Sequence, residues 1–165
     1  MGELDLEVPI ERLNDIMTPI TRAGLYLKWV FYNDIRGTAS LRIVVPEDLL
    51  EEALFMMAKA YGGPLEVSVI RDDRRMLVGQ AFLNSVHVNA KRYPIVVLMD
   101  YSPELGPYVP IRITLLAKSD MPKDGIEMVL SSQFRNFELR NSYKQGVVER
   151  GSLTKIVMTP ELGCT

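Results

Sequence analysis

Residues 44–70 read VVPEDLLEEALFMMAKAYGGPLEVSVI, and this stretch decides the fold. A β-prone run meets Pro46, a helix pattern follows, two glycines stop it, and a second β-prone run begins. Pro46 suits the first helical position, because its missing N–H would lack a partner there in any case. Glu47, Asp48, Glu51 and Glu52 crowd the first turns and Lys59 lies near the end, which is the polarity the helix dipole favours. Leu50, Ala53, Leu54, Met57 and Ala60 or Tyr61 recur at helical spacing and give one apolar face. Gly62 and Gly63 can supply a left-handed closing residue, and Pro64 prevents continuation. The spacing predicts an amphipathic helix over about 46–61. Acidic side chains at its start would repel a phosphate, so the unit reads as scaffold rather than as a ligand cradle.

Working outward, residues 38–45 (TASLRIVV) form the preceding strand, behind an NDIRG turn at 33–37. The run AGLYLKWVFY before it is aromatic and β-prone. Strict alternation would set Leu25, Leu27, Trp29 and Phe31 against Tyr26, Lys28, Val30 and Tyr32, giving a strand covered on both faces. ERLNDIM at 11–17 reads as a short helix or turn, stopped by Pro19. On the other side, Leu65, Val67 and Val69 alternate with Glu66 and Ser68. Turns at 72–75 and 91–94 separate strands over 65–71, 76–90 and 95–101, with Gly79 as a candidate bulge, and together they predict an antiparallel meander. SPELGPYVP at 102–110 holds three prolines and reads as a surface loop or arm. Strands are expected at 111–118 and 151–158, with a turn at 119–125, while 126–140 fits a helix or two strand segments. The expectation is one α+β domain over 1–165: a mainly antiparallel sheet or small barrel with one amphipathic helix packed on it.

The chain has 165 residues, 47% hydrophobic and 24% charged, with net charge −2. That is ordinary globular usage, and no global basic field draws it to DNA. The acidic opening MGELDLEVP lacks the apolar segment of a signal peptide. No apolar run is long enough to span a membrane as a helix. A single cysteine, Cys164, excludes an internal disulfide and a cysteine-built zinc site. The expected setting is cytoplasmic, or a particle assembled from the cytoplasm.

The chemistry-bearing residues are sparse. His87 is the sole histidine and sits between Val86 and Val88, where alternation puts it on a strand surface. Asp72 and Asp73 are flanked by Arg71, Arg74 and Arg75, which neutralise them. No phosphate-binding glycine loop and no nucleophile elbow occurs. A scattered site would have to draw on His87, Asp100 or Glu104. No catalytic residue, metal or cofactor is assigned. The strongest nucleic-acid candidate is FRNFELRNSYKQGVVER at 134–150. There Phe134, Phe137 and Tyr143 could stack on bases while Arg135, Arg140 and Lys144 meet phosphates.

The order strand, helix, strand, hairpin over 38–101 loosely resembles the small barrel with one flanking helix in tail-tube proteins of phages and related injection machines. The likeness is one of element order over about a third of the chain. The expected function is a non-enzymatic structural or assembly protein that forms homo-oligomers, such as a virion tube or particle component, with itself or other protein subunits as partners. The alternative is a nucleic-acid-binding accessory protein using the six residues above.

Overall fold

The computed structural model describes residues 2–71, 74–101, 110–125, 127–128, 143–150 and 153–160. Among these residues nine strands form one sheet. They are β1 (Gly2–Pro9), β2 (Tyr26–Asn33), β3 (Thr38–Val45), β4 (Leu65–Arg71), β5 (Arg74–Val88), β6 (Lys91–Tyr101), β7 (Pro110–Lys118), β8 (Tyr143–Arg150) and β9 (Leu153–Pro160). The spatial order is β2-β3-β1-β4-β5-β6-β7-β9-β8, and every neighbouring pair is antiparallel. Among the described residues, two long helices, α1 (Leu13–Arg22) and α2 (Leu50–Tyr61), accompany it.

The quoted stretch is a split crossover. β3 and β4 both pair antiparallel to β1, so they run parallel to each other, one strand apart. Parallel strands need a crossover connection, and α2 supplies it. The gap is filled by β1, whose Leu4, Leu6 and Val8 are all 1% exposed or less. Those residues alternate with Glu3, Asp5 and Glu7, so the acidic opening is a period-two strand at the centre of one half of the sheet.

α2 is preceded by a 3-10 turn over Glu47–Leu49. Pro46 sits just outside that turn with ψ 138, so it caps the approach instead of occupying the first helical position. Gly62 closes the helix in the left-handed region at φ 76, as the glycine pair implied. Leu54, Met57, Ala58 and Tyr61 are buried against the sheet. Each large side chain so buried contributes roughly 1.5–3 kcal/mol.

Among the described residues there are two long helices, not one. α1 runs straight through Pro19. A proline inside a helix costs about 3 kcal/mol, and here Ile16 and Ile20 offset that cost by being buried completely. Arg12 then ties the helices together. Its Nη2 donates to the Tyr61 carbonyl at 2.6 Å, an unpaired oxygen at the end of α2, and its guanidinium lies 3.9 Å from the Tyr61 ring centroid.

Leu25, just before β2, and Leu153, at the start of β9, line the same open groove of about 300 Å³ beside α2. On a flat sheet seven strand spacings would hold those strands about 34 Å apart. The sheet therefore curves around α2 as an open half-barrel, and its helix-side core joins residues from β1, β3, β4, β6, β7 and β9. A second cluster lies on the outer face, where Ile95, Val97, Ile113, Leu115, Ile156 and Met158 pack with Met121.

Other expectations shift. The 91–94 turn lies earlier, at Asn89 and Ala90, both at positive φ (51 and 64), which is a two-residue hairpin connection. Pro94 is inside β6, but the β7 ladder begins at Ile95, so that part of β6 has β5 as its one described neighbour. Gly79 makes no bulge: the register is continuous there and shifts instead between Val69 and Ile70. The arm expected over 102–110 falls outside the described residues up to 109, and Pro110 opens β7.

Gly79 is required by a close approach. A Cβ built on it would land on the Met99 carbonyl oxygen and within 3.2 Å of the Asp100 Cα. Gly79→Ala is expected to lower stability by about 1–3 kcal/mol in chemical denaturation, as overpacking does. An unchanged midpoint would mean that β5 and β6 are not in this register.

Candidate functional site

β2 is an edge strand, bonded to β3 alone among the described strands. Among the described residues it carries the largest exposed apolar side chains: Tyr26 is 66% exposed, Phe31 63% and Tyr32 61%, and Ile35 in the adjoining turn is 99% exposed. The strand is thus open, not covered on both faces. Its phase also differs from simple alternation. The β2–β3 register skips Lys28, so Leu27 and Val30 both turn toward the core, while Trp29 and Phe31 share the outer face.

The outer face beneath these aromatics is a fixed polar layer. Asp5 of β1, Arg42 of β3 and Trp29 of β2 are register partners across three strands. Arg42 donates Nε to Asp5 Oδ1 at 2.7 Å and Nη2 to Asp5 Oδ2 at 2.9 Å, a two-pronged charge-assisted contact. Its guanidinium carbon is 4.8 Å from the Trp29 ring centroid. Trp29 in turn meets Phe31, with centroids 4.6 Å apart. Lys28 donates to Glu3 Oε1 at 2.8 Å. The hairpin end is set by Asn33, whose Oδ1 accepts from the Arg36 N–H and whose carbonyl accepts from the Gly37 N–H; Gly37 takes φ 69.

An edge strand is usually blunted by proline, by charge or by a bulge. β2 has a bulge and a charge, both at Lys28. The five residues after it, Trp29 to Asn33, have regular register, no charge and no proline.

A second polar cluster lies on the helix side. Asp100 of β6 is 1% exposed and accepts from Arg112 Nε at 2.8 Å, its cross-strand neighbour. Beside it Lys155 of β9 donates to Glu51 of α2 at 2.9 Å, which anchors the helix to the far side of the sheet. Burial raises the Asp100 carboxyl above the usual carboxylate range, and Arg112 and then Lys155 pull it part of the way back.

The structure does not bring the scattered chemical candidates together. His87 is exposed at one end of β5, and its partner Arg92 is eight residues along β6 from Asp100, about 26 Å at strand rise. Glu104 and Cys164 lie outside the described residues. Of the nucleic-acid candidates, Tyr143 and Lys144 open β8, while Phe134, Arg135, Phe137 and Arg140 lie outside the described residues. No three His, Cys, Asp or Glu side chains converge among the described residues. No described helix is long and apolar enough to cross a membrane.

The sequence displayed the aromatics of β2 but not their exposure, because edge position follows from strand order. The Asp5–Arg42 contact joins residues 37 apart in sequence and left no local signal. No family model matches the chain, and no curated protein matches it.

Removing Arg42 takes the two-pronged contact from the largely buried Asp5 carboxylate. Arg42→Ala is expected to cost about 2–4 kcal/mol and to shift the emission of Trp29, the sole tryptophan. Arg42→Lys should not restore stability, since an ammonium cannot make the two-pronged contact. An Arg42→Ala protein of unchanged stability would remove this layer from the account.

Asp100 sets a pH dependence. Its folded-state pKa is raised, so the folded chain holds this proton more tightly than the unfolded chain. Its stabilising contribution is full below the ordinary aspartate range and is lost as pH rises through the raised value. Relative to Asp100→Asn, the wild type is expected to gain stability as pH falls from neutral toward that range. Denaturation curves at several pH values check this, and a gain in the opposite direction would refute it.

Proposed function

We propose that the chain is a non-enzymatic structural protein that assembles with copies of itself. The observation that carries the reading is β2: a regular, uncharged, aromatic strand at a sheet edge, with Tyr26, Phe31 and Tyr32 each more than 60% exposed. Exposed apolar patches beside unpaired backbone groups mark surfaces that pair with another chain. The curved sheet is open, with β2 at one edge and β8 at the other, which suits a subunit that continues its ladder into a neighbour. The narrower form of the proposal is a tube or particle subunit assembled in the cytoplasm. Its support is the strand, helix, strand, hairpin order over 38–101.

Light scattering coupled to size exclusion tests the reading. The expected result is a mass that is a multiple of the chain mass and that depends on protein concentration. A strict monomer at every concentration would overturn it.

A further inference from the structure

We infer that the assembly contact is a two-fold antiparallel pairing of β2 with β2 of a second copy, centred on Phe31. This rests on the self-assembly reading above and names its surface and partner. An edge strand offers a row of backbone donors and acceptors that an extended chain alone can match. The regular part of β2 is Trp29 to Asn33, and its midpoint is Phe31. A two-fold axis there uses all five residues. Phe31 then faces Phe31 of the other copy, Trp29 faces Asn33, and Val30 faces Tyr32. Each pair shares a sheet face: Trp29, Phe31 and Asn33 lie outside, and Val30 and Tyr32 lie on the helix side, opposite the core residues Leu41 and Ala39.

Two features favour a second copy as the occupant. The five residues are uncharged, so the strand can oppose itself without like charges meeting. This register also carries Asp34, exposed just past the end of β2, alongside Lys28 of the other copy, once on each side of the axis. Lys28 is 43% exposed and bound on one side by Glu3, so its ammonium has room for a second carboxylate. Tyr32, exposed in the monomer, comes to cover the partly buried Val30 of the second copy. A five-residue ladder makes a small interface, below about 1,200 Å² in total, so the dimer is expected to dissociate on dilution.

The test combines charge and proximity. Phe31→Lys places two ammonium groups face to face on the axis, and because Phe31 is mostly exposed the fold should be kept, which circular dichroism verifies. It is expected to weaken the dimer at least tenfold in sedimentation equilibrium. In a Cys164→Ser background, Phe31→Cys puts two thiols directly opposite, where antiparallel Cα atoms lie about 5 Å apart and a disulfide can close. Mild oxidation with diamide is expected to give a covalent dimer. Tyr26→Cys, whose two copies would lie about 30 Å apart, should give none. A wild type that stays monomeric would overturn this inference and the self-assembly reading together. A wild type that assembles, with Phe31→Lys without effect or with Phe31→Cys failing to cross-link, would overturn the β2 pairing and leave self-assembly standing. Equal cross-linking through Tyr26→Cys would overturn this register.

Discussion

The structure depends on one pairing constraint. α2 returns the chain from β3 to β4 in parallel, one strand apart, and only a strand running the other way can bridge them. β1 is that strand. It satisfies the backbone of both neighbours and sends Leu4, Leu6 and Val8 into the core beneath the helices. Without it, β2 and β3 would not be joined to the meander, and α2 would have half a sheet to pack on. The outward side chains of β1 serve a second purpose: Glu3 and Asp5 hold Lys28 and Arg42, and through them the aromatic edge.

The sheet treats its two faces differently along its width. One face is mainly apolar and wraps the helices, with the Asp100–Arg112 and Lys155–Glu51 contacts toward β6, β7 and β9. The other is charged over β1 and β3 and apolar over β6, β7 and β9, where Met121 packs onto it. Gly125 belongs to that contact, since a Cβ there would sit 2.8 Å from the Met121 methyl and 3.0 Å from Val88. β6 is therefore buried on both sides over 95–100, which explains the near-continuous apolar run Ile95 to Met99.

The parts legible in the sequence were those governed by local period and chain punctuation. α2 shows a 3.6-residue stripe with a glycine stop, and β4 a clean alternation. The antiparallel neighbours over 65–101 follow their chain order. The misses have physical causes. No strand was expected over 2–9, although Leu4, Leu6 and Val8 alternate there as clearly as the apolar residues of β4. Pro19 suggested a stop because local propensity says so, and tertiary burial of Ile16 and Ile20 overrode it. The phase of β2 was wrong because a bulge at Lys28 adds one residue that alternation cannot register. Of the candidate interface, the residues were visible and the geometry was not. Exposure of an aromatic strand is decided by which strands lie beside it, and those come from distant parts of the chain.

The placement of β1 between β3 and β4 also sets what opening the sheet there would cost. An edge strand frays at little cost, because it leaves one edge behind. Withdrawing β1 would leave two facing edges separated by about 9.6 Å, the width of a missing strand, in the middle of the sheet. Opening β1 is then the same event as parting the sheet. The backbone amides of residues 2–8 are expected in the slowest-exchanging set, so β1 acts as the keystone of the sheet.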